Sequence, residues 1–260
     1  MADEFVKFLG TAGARFVMAR QLRYSAGTFL SLAGRGIMLD PGPGTLVRCA
    51  KSRPRIDPAT LDAVILTHAH VDHSGDLSAV LDAMTAGGFR PRGRLFAPRE
   101  CLEGRDAVVL PYLRPCVEEV VVLGPHCTYS LDPLEFTTSC RHQHPLETYG
   151  LKFRLAGGVL AFLVDTLFFE GLIEEYAGAD VLVLNVVRAE ARPSSTVMHL
   201  TAQDARRIIA AVRPRKAVLT HFGMTMLEAR PGELAQAMTD ELGVQVIAAS
   251  DGMTLDLGGA

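Results

Sequence analysis

Short apolar runs separated by breakers dominate the first half of the chain. Phe5 to Leu9 and Thr28 to Ala33 read as strands. Gly36 to Asp40 follows at once and stops at Pro41-Gly42-Pro43-Gly44, where regular structure must end. Asp62 to Thr67 (DAVILT) holds an unbroken apolar centre, as a strand buried on both faces requires. Helical spacing then covers Asp76 to Thr85 and is ended by Gly87-Gly88.

The second half alternates more regularly. Val117 to Leu123, Leu134 to Ser139, Leu151 to Leu155 and Val159 to Asp165 are strand-like, and Gly157-Gly158 joins the last two as a hairpin turn. Val181 to Val187 and Lys216 to Thr220 are apolar runs. Between them Thr201 to Val212 places Ala205, Ile208, Ile209 and Val212 on one helical face, with Thr201 as N-cap and Asp204 three residues on. Val244 to Ala248 and Met253 to Leu257 close the chain. Strands first, then strands and helices in turn, predict one layered α/β domain over residues 1–260, without linker or repeat.

Composition narrows the functional classes. The chain has 260 residues, 48% of them hydrophobic, so it is globular rather than disordered. A net charge of -3 argues against holding nucleic acid by phosphate neutralisation, and no stable nucleic acid partner is expected. The clusters Arg90, Arg92, Arg94, Arg99 and Lys51, Arg53, Arg55 read as solvated surface. Cys49, Cys101, Cys116, Cys127 and Cys140 are odd in number and form no C-x-x-C pair, so neither a disulfide framework nor a cysteine zinc site is expected. No apolar run reaches the roughly 18 to 20 residues of a membrane span. The opening MADEFVKFLG lacks the regions of a signal peptide. A cytoplasmic protein without a membrane partner is expected; the sequence leaves a homodimer open.

The sharpest chemical signal is Thr67-His68-Ala69-His70-Val71-Asp72-His73, directly after the DAVILT run. Four metal-competent side chains fall within six residues where the backbone turns, so they can converge on one point. Imidazole and carboxylate suit a divalent metal, zinc first and manganese or iron next.

The motif H-x-H-x-D-H, followed by a histidine, an acid and a last histidine, resembles the metallo-β-lactamase superfamily over nearly the whole chain. The resemblance implies a four-layer αββα sandwich with two metals at one edge. It implies that His68, His70 and His144 hold one ion, that Asp72, His73 and His221 hold the other, and that Asp165 lies between them. A water shared by the two ions loses a proton near neutral pH and becomes the nucleophile. His142 competes with His144 for the third position, and the distance to Tyr149-Gly150 favours His144. His126, after Gly124-Pro125, reads as a loop residue. Asp40 has two readings, as an acid that orients a ligand histidine or as a turn former.

A further histidine bears on the reaction. His199, in MHLT before a helix and 22 residues ahead of His221, resembles the proton donor of the phosphodiesterase branch, which includes transfer RNA 3′-processing endonucleases and PhnP-like cyclic phosphodiesterases. A leaving alkoxide needs a proton or a metal. His199 and Asp72 are therefore expected to take part in catalysis. Asp165 is only 21 positions after His144, too few for the long arm of the tRNA enzymes, and the cysteine-rich zinc site of PhnP-like enzymes is missing. The expectation is a two-metal phosphodiesterase for a small phosphodiester or cyclic phosphate. A thioesterase or lactonase, a tRNA 3′-endonuclease and a non-catalytic metal-binding module remain as alternatives.

Overall fold

The computed structural model describes residues 4–25, 27–191 and 197–258. The first three residues of the opening segment therefore lie outside the described residues. Among the described residues fifteen strands are formed: β1 (Phe5–Phe8), β2 (Thr28–Leu32), β3 (Arg35–Leu39), β4 (Ala63–Ile65), β5 (Arg94–Pro98), β6 (Glu119–Leu123), β7 (Thr128–Leu131), β8 (Leu134–Arg141), β9 (Tyr149–Leu155), β10 (Gly158–Leu163), β11 (Val181–Arg188), β12 (Leu200–Thr201), β13 (Lys216–Thr220), β14 (Gln245–Ala248) and β15 (Thr254–Asp256). The α-helices are α1 (Ala14–Ala19), α2 (Thr45–Lys51), α3 (Val71–Ser74), α4 (Leu77–Met84), α5 (Arg99–Leu102), α6 (Gly171–Glu175), α7 (Ala202–Val212), α8 (Met224–Glu228) and α9 (Pro231–Leu242).

The strands make two mixed sheets. One runs β15-β1-β2-β3-β4-β5-β6; the other runs β14-β13-β11-β10-β9-β8-β7, with β12 paired to β11. In each sheet an antiparallel part passes into a parallel part, beginning at β3/β4 in the first and β10/β11 in the second. Three apolar layers follow from strand alternation. Leu30, Ile37, Ile65, Phe136, Phe153, Phe162 and Val183 fill the space between the sheets. Leu66, Val64 and Leu95 face α4, whose Leu77, Val80, Leu81 and Met84 cover the outside of the first sheet. Leu163, Leu184 and Leu219 face α7 and α9 outside the second. This is the αββα sandwich expected from the motif. Among the described residues no helix is long and apolar enough to cross a membrane.

Several boundaries differ from the sequence reading. The DAVILT strand ends at Ile65, and Leu66 is held by its N–H to the Phe96 carbonyl at 2.9 Å. The strand before Asp165 ends at Leu163. Strands β5, β7 and β12 and helices α1, α2, α5, α6, α8 and α9 have no counterpart in the sequence reading. Pro231-Gly232 reads as a breaker, but proline in a first helical turn sacrifices no hydrogen bond, and Gly243 ends α9 in the left-handed conformation with φ 63°.

The hairpin at Gly157-Gly158 is present, with Gly158 opposite Leu155. The cap of α7 is the reciprocal box: Thr201 Oγ1 accepts from Asp204 N–H at 3.1 Å while Asp204 accepts from Thr201 N–H at 2.8 Å. Thr201→Ala is expected to cost about 1 kcal/mol. The exposed Gln203→Ala should stay within roughly 0.5 kcal/mol of wild type. Urea denaturation of the two variants measures the difference.

Candidate metal centre

Strands β3, β4, β10 and β13 release the chain at one edge of the sandwich, and the side chains that follow them meet there. His68, His70, His144 and Asp165 place ligand atoms within 4.8 Å of one another. Asp72, His73 and His221 form a second such group, and Asp165, His199 and His221 a third. The residues anticipated as ligands are thus brought together, with Asp165 close to His68, His73 and His221. Its Oδ2 is 3.4 Å from His73 Nε2 and 3.7 Å from His68 Nε2; its Oδ1 is 3.3 Å from His221 Nε2.

Outward hydrogen bonds fix which nitrogen faces the centre. His73 Nδ1 donates to Asp40 Oδ2 at 2.9 Å. Asp40 also accepts from the Thr67 hydroxyl and N–H, both at 2.7 Å. With its proton given to Asp40, Thr67 Oγ1 accepts from His68 Nδ1 at 3.0 Å. His144 Nδ1 donates to Thr148 Oγ1 at 2.9 Å, and that hydroxyl donates to the Leu146 carbonyl. In each case Nδ1 is engaged outside and Nε2 is left pointing inward. The Nε2 atoms of His68, His73, His144 and His221 are buried and make no hydrogen bond. Buried imidazole nitrogens without partners, gathered around a carboxylate, are what a metal site of nitrogen and oxygen ligands requires. The residues fit the divalent ions that the motif implies. No cysteine enters any of the three groups.

Asp40 thus satisfies both of its readings. It orients His73 and His68, and it turns the chain with φ 48° while its carbonyl accepts from Gly42 N–H at 2.7 Å. Thr67, Thr148 and Asn185 were missed. Asn185 donates to Asp165 Oδ1 at 2.8 Å. The signal was present: Asn185 is the one polar residue in Val181 to Val187, on the alternation that points between the sheets.

Two glycines allow the close packing of the ligand loops. A methyl group on Gly13 would lie 2.1 Å from the His221 carbonyl oxygen and 2.7 Å from its ring. His221 itself sits in the left-handed region at φ 62°, held by Phe222 N–H to the Thr11 carbonyl and Gly13 N–H to the Phe222 carbonyl. A methyl on Gly42 would lie 2.0 Å from the Asp72 carbonyl oxygen.

His142 lies outside the cluster. Its Nδ1 donates to the Asp165 carbonyl at 3.3 Å and its Nε2 meets the Tyr176 hydroxyl at 3.0 Å, so it braces the Asp165 loop from behind. Burial pushes its pKa down to about 4. His126 is a surface residue, 3.5 Å from Glu175.

Charge in the site is organised around Asp165. Burial alone would raise its pKa, but His221, His199 and His73 hold it well below the usual carboxylate range. Burial favours a neutral His73, yet Asp165 and Asp40 override it and hold that imidazole well above its ordinary value. His68 is driven well below by burial and by His73, and burial pushes His144 down to about 4. Asp72 is also held low: burial opposes ionisation, but His73 and His221 outweigh it. The imidazoles of His68 and His144 thus favour their neutral, metal-binding form.

The comparisons with known proteins agree with this geometry. Residues 35–222 match the family model described as a beta-lactamase superfamily domain. The chain belongs to this superfamily of metal-dependent hydrolases, the metallo-β-lactamase fold. It is 27% identical over 274 aligned residues to a ribonuclease Z of Thermobifida fusca, covering 82% of each chain. In structure it is similar to the metallo-beta-lactamase fold protein YhfI of Bacillus subtilis, with TM-score 0.79, 18% identity and 98% and 99% of the two chains covered. It is similar also to a diphosphatase from the PhnP family, with TM-score 0.73, 20% identity and 97% of each chain covered. At these identities the two structures show the common fold alone.

Asp40 is the acid behind two of the inward-facing imidazoles, so its loss should be felt at the metal. Asp40→Asn is expected to weaken metal binding by roughly 10- to 100-fold while the chain remains folded. Competition with a chromophoric chelator measures this; an unchanged affinity would remove Asp40 from the site.

Proposed function

We propose that the protein is a two-metal phosphodiesterase acting on a small phosphodiester or cyclic phosphate. The observation that carries this reading is the position of His199. Its Nε2 donates to Asp165 Oδ2 at 3.1 Å, and its side chain keeps 14% of its surface exposed whereas Asp165 keeps 1%. Its ring stacks over His221, 17° from parallel with centroids 6.4 Å apart, and meets His144 edge-on at 5.7 Å. His199 therefore stands between the buried ligand cluster and solvent, where a substrate arrives.

On this reading His68, His70 and His144 would hold one divalent ion, zinc first, and Asp72, His73 and His221 would hold the other, with Asp165 within reach of each group. When bound, the ions supply charge neutralisation at the phosphoryl oxygens and an acidified water. The chain's own contribution is proton placement. Asp165 accepts from Nε2–H of His199, and with Asp72 close by it favours the imidazolium after burial has opposed it. As the bond from phosphorus to the leaving oxygen breaks, His199 gives that oxygen its proton. Asn185 keeps Asp165 Oδ1 oriented, leaving Oδ2 to His199.

Two further observations support a small substrate. The span from His144 to Asp165 is taken up by β9, a tight turn and β10, so it carries no arm for a folded RNA. The net charge is -3. The names of the similar proteins, ribonuclease and diphosphatase, both denote cleavage at phosphorus. The unpaired cysteines accord with a reducing, cytoplasmic setting.

His199 also lies close enough to Asp165 and His221 to serve as a ligand, and one variant separates the two roles. His199→Ala is expected to retain both metals and to lose roughly 10²- to 10⁴-fold in rate on a diester with an alkoxide leaving group. The loss should be smaller with p-nitrophenolate, which needs little protonation. Metal content and the two rates are the measurements. Loss of metal with equal damage to both substrates would make His199 a ligand. Faster turnover of thioesters or lactones than of any diester by the wild type would replace the phosphodiesterase reading.

A further inference from the structure

Beside the ligand cluster the surface opens into a recess of about 240 Å³. Phe16, Val17, Val187, Val197 and Met224 line it together with Arg188. Its walls come from the same segments that carry the cluster. Val197 is two residues before His199. Gly223 is two residues after His221, and its N–H donates to the Val187 carbonyl at 3.1 Å. The turn into α1 runs against the His221 ring, where Gly13 leaves no room for a methyl group. The recess and the metal centre are therefore neighbours joined by short stretches of backbone.

The lining is unusual for a surface next to so polar a site. Phe16 is 69% exposed and Val197 43% exposed, although each could have been polar at no cost to the core. Exposed apolar side chains gathered at a concave site mark a place where something apolar binds. The volume falls below the ~300 to 1,000 Å³ of pockets that take a whole drug-sized ligand, so it suits one ring or one branched chain. Arg188 brings a cation to the same wall and has no ion pair among the described residues. A guanidinium beside an apolar recess recognises an anionic oxygen with an apolar group attached to it.

We infer that this recess is a substrate subsite that takes one aromatic or branched alkyl group of the phosphodiester while Arg188 meets the ester's anionic oxygens. The inference rests on the phosphodiesterase reading and adds the substrate class: aryl or bulky alkyl phosphodiesters in preference to small, fully polar ones.

Equilibrium binding tests the subsite apart from turnover. Phenylphosphonate and methylphosphonate carry the same anion and differ only in the apolar group. Calorimetric titration of the metal-loaded protein is expected to show phenylphosphonate binding about 10- to 100-fold tighter. Phe16→Ala, at a position largely in solvent, should reduce that ratio several-fold and leave methylphosphonate binding unchanged. Met224→Ala should do the same and guards against a peculiarity of one variant. Arg188→Gln should weaken both ligands alike. In parallel, phenyl p-nitrophenyl phosphate should exceed methyl p-nitrophenyl phosphate in kcat/KM by a similar factor. Equal affinity of the two phosphonates, a ratio untouched by Phe16→Ala and Met224→Ala, or no binding of either ligand overturns the subsite. A phenyl preference in binding without hydrolysis of either diester would keep the subsite and overturn the phosphodiesterase reading.

Discussion

A carboxylate with 1% of its surface exposed can stay ionised between two sheets only if positive charge is brought to it, and Asp165 is that carboxylate. The imidazoles of His221, His199 and His73 face it and hold its pKa well below the usual carboxylate range. Divalent ions are a stronger source of positive charge than protons, and the two compete for the same imidazole nitrogens. The other ligand side chains are arranged around this demand. The Nδ1 atoms of His73, His68 and His144 are tied to Asp40, Thr67 and Thr148, and their Nε2 atoms are left bare toward the carboxylate.

Such an arrangement needs backbone that does not yield. The alternating strands of the two sheets bury their apolar side chains on both sides, so the strand ends are fixed by the packing of three layers. Ligands placed just after β4, β10 and β13 inherit that rigidity. The loops are then brought closer than ordinary residues permit, through Gly13 under His221 and Gly42 under Asp72. The strained φ of His221 is held by the hydrogen bonds of Phe222 that follow it, which places a cost in the backbone at the site where a side chain must be aimed. The same closeness sets the apolar recess of Phe16 and Met224 next to the metal centre.

The candidate metal residues were legible in the sequence in two ways. Four metal-competent residues follow one buried run, and His144, Asp165 and His221 were picked out by the resemblance to the family's order of histidine, acid and histidine. The two sheets were legible from alternation. What supports the ligands was less so. Thr67 and Thr148 are common residues whose role depends on which imidazole nitrogen faces outward, a property of three-dimensional placement. Asn185 left a trace as a polar residue within an apolar strand, but the partner that explains it is 20 positions away. Gly13 and Gly42 read only as breakers, since the atoms they make room for come from distant segments. Helix α9 was hidden by Pro231-Gly232, and the ends of β4 and β10 fall short of the apolar runs because backbone pairing stops before burial does.

Anomalous diffraction from crystals of the zinc-loaded protein would show whether Asp165 is a carboxylate shared by two metal ions. Two peaks per chain are expected. One should be coordinated by His68, His70 and His144, the other by Asp72, His73 and His221, with Asp165 oxygens bound to both. A fully loaded chain with a single ion, or with Asp165 bound to neither ion, would contradict this sharing.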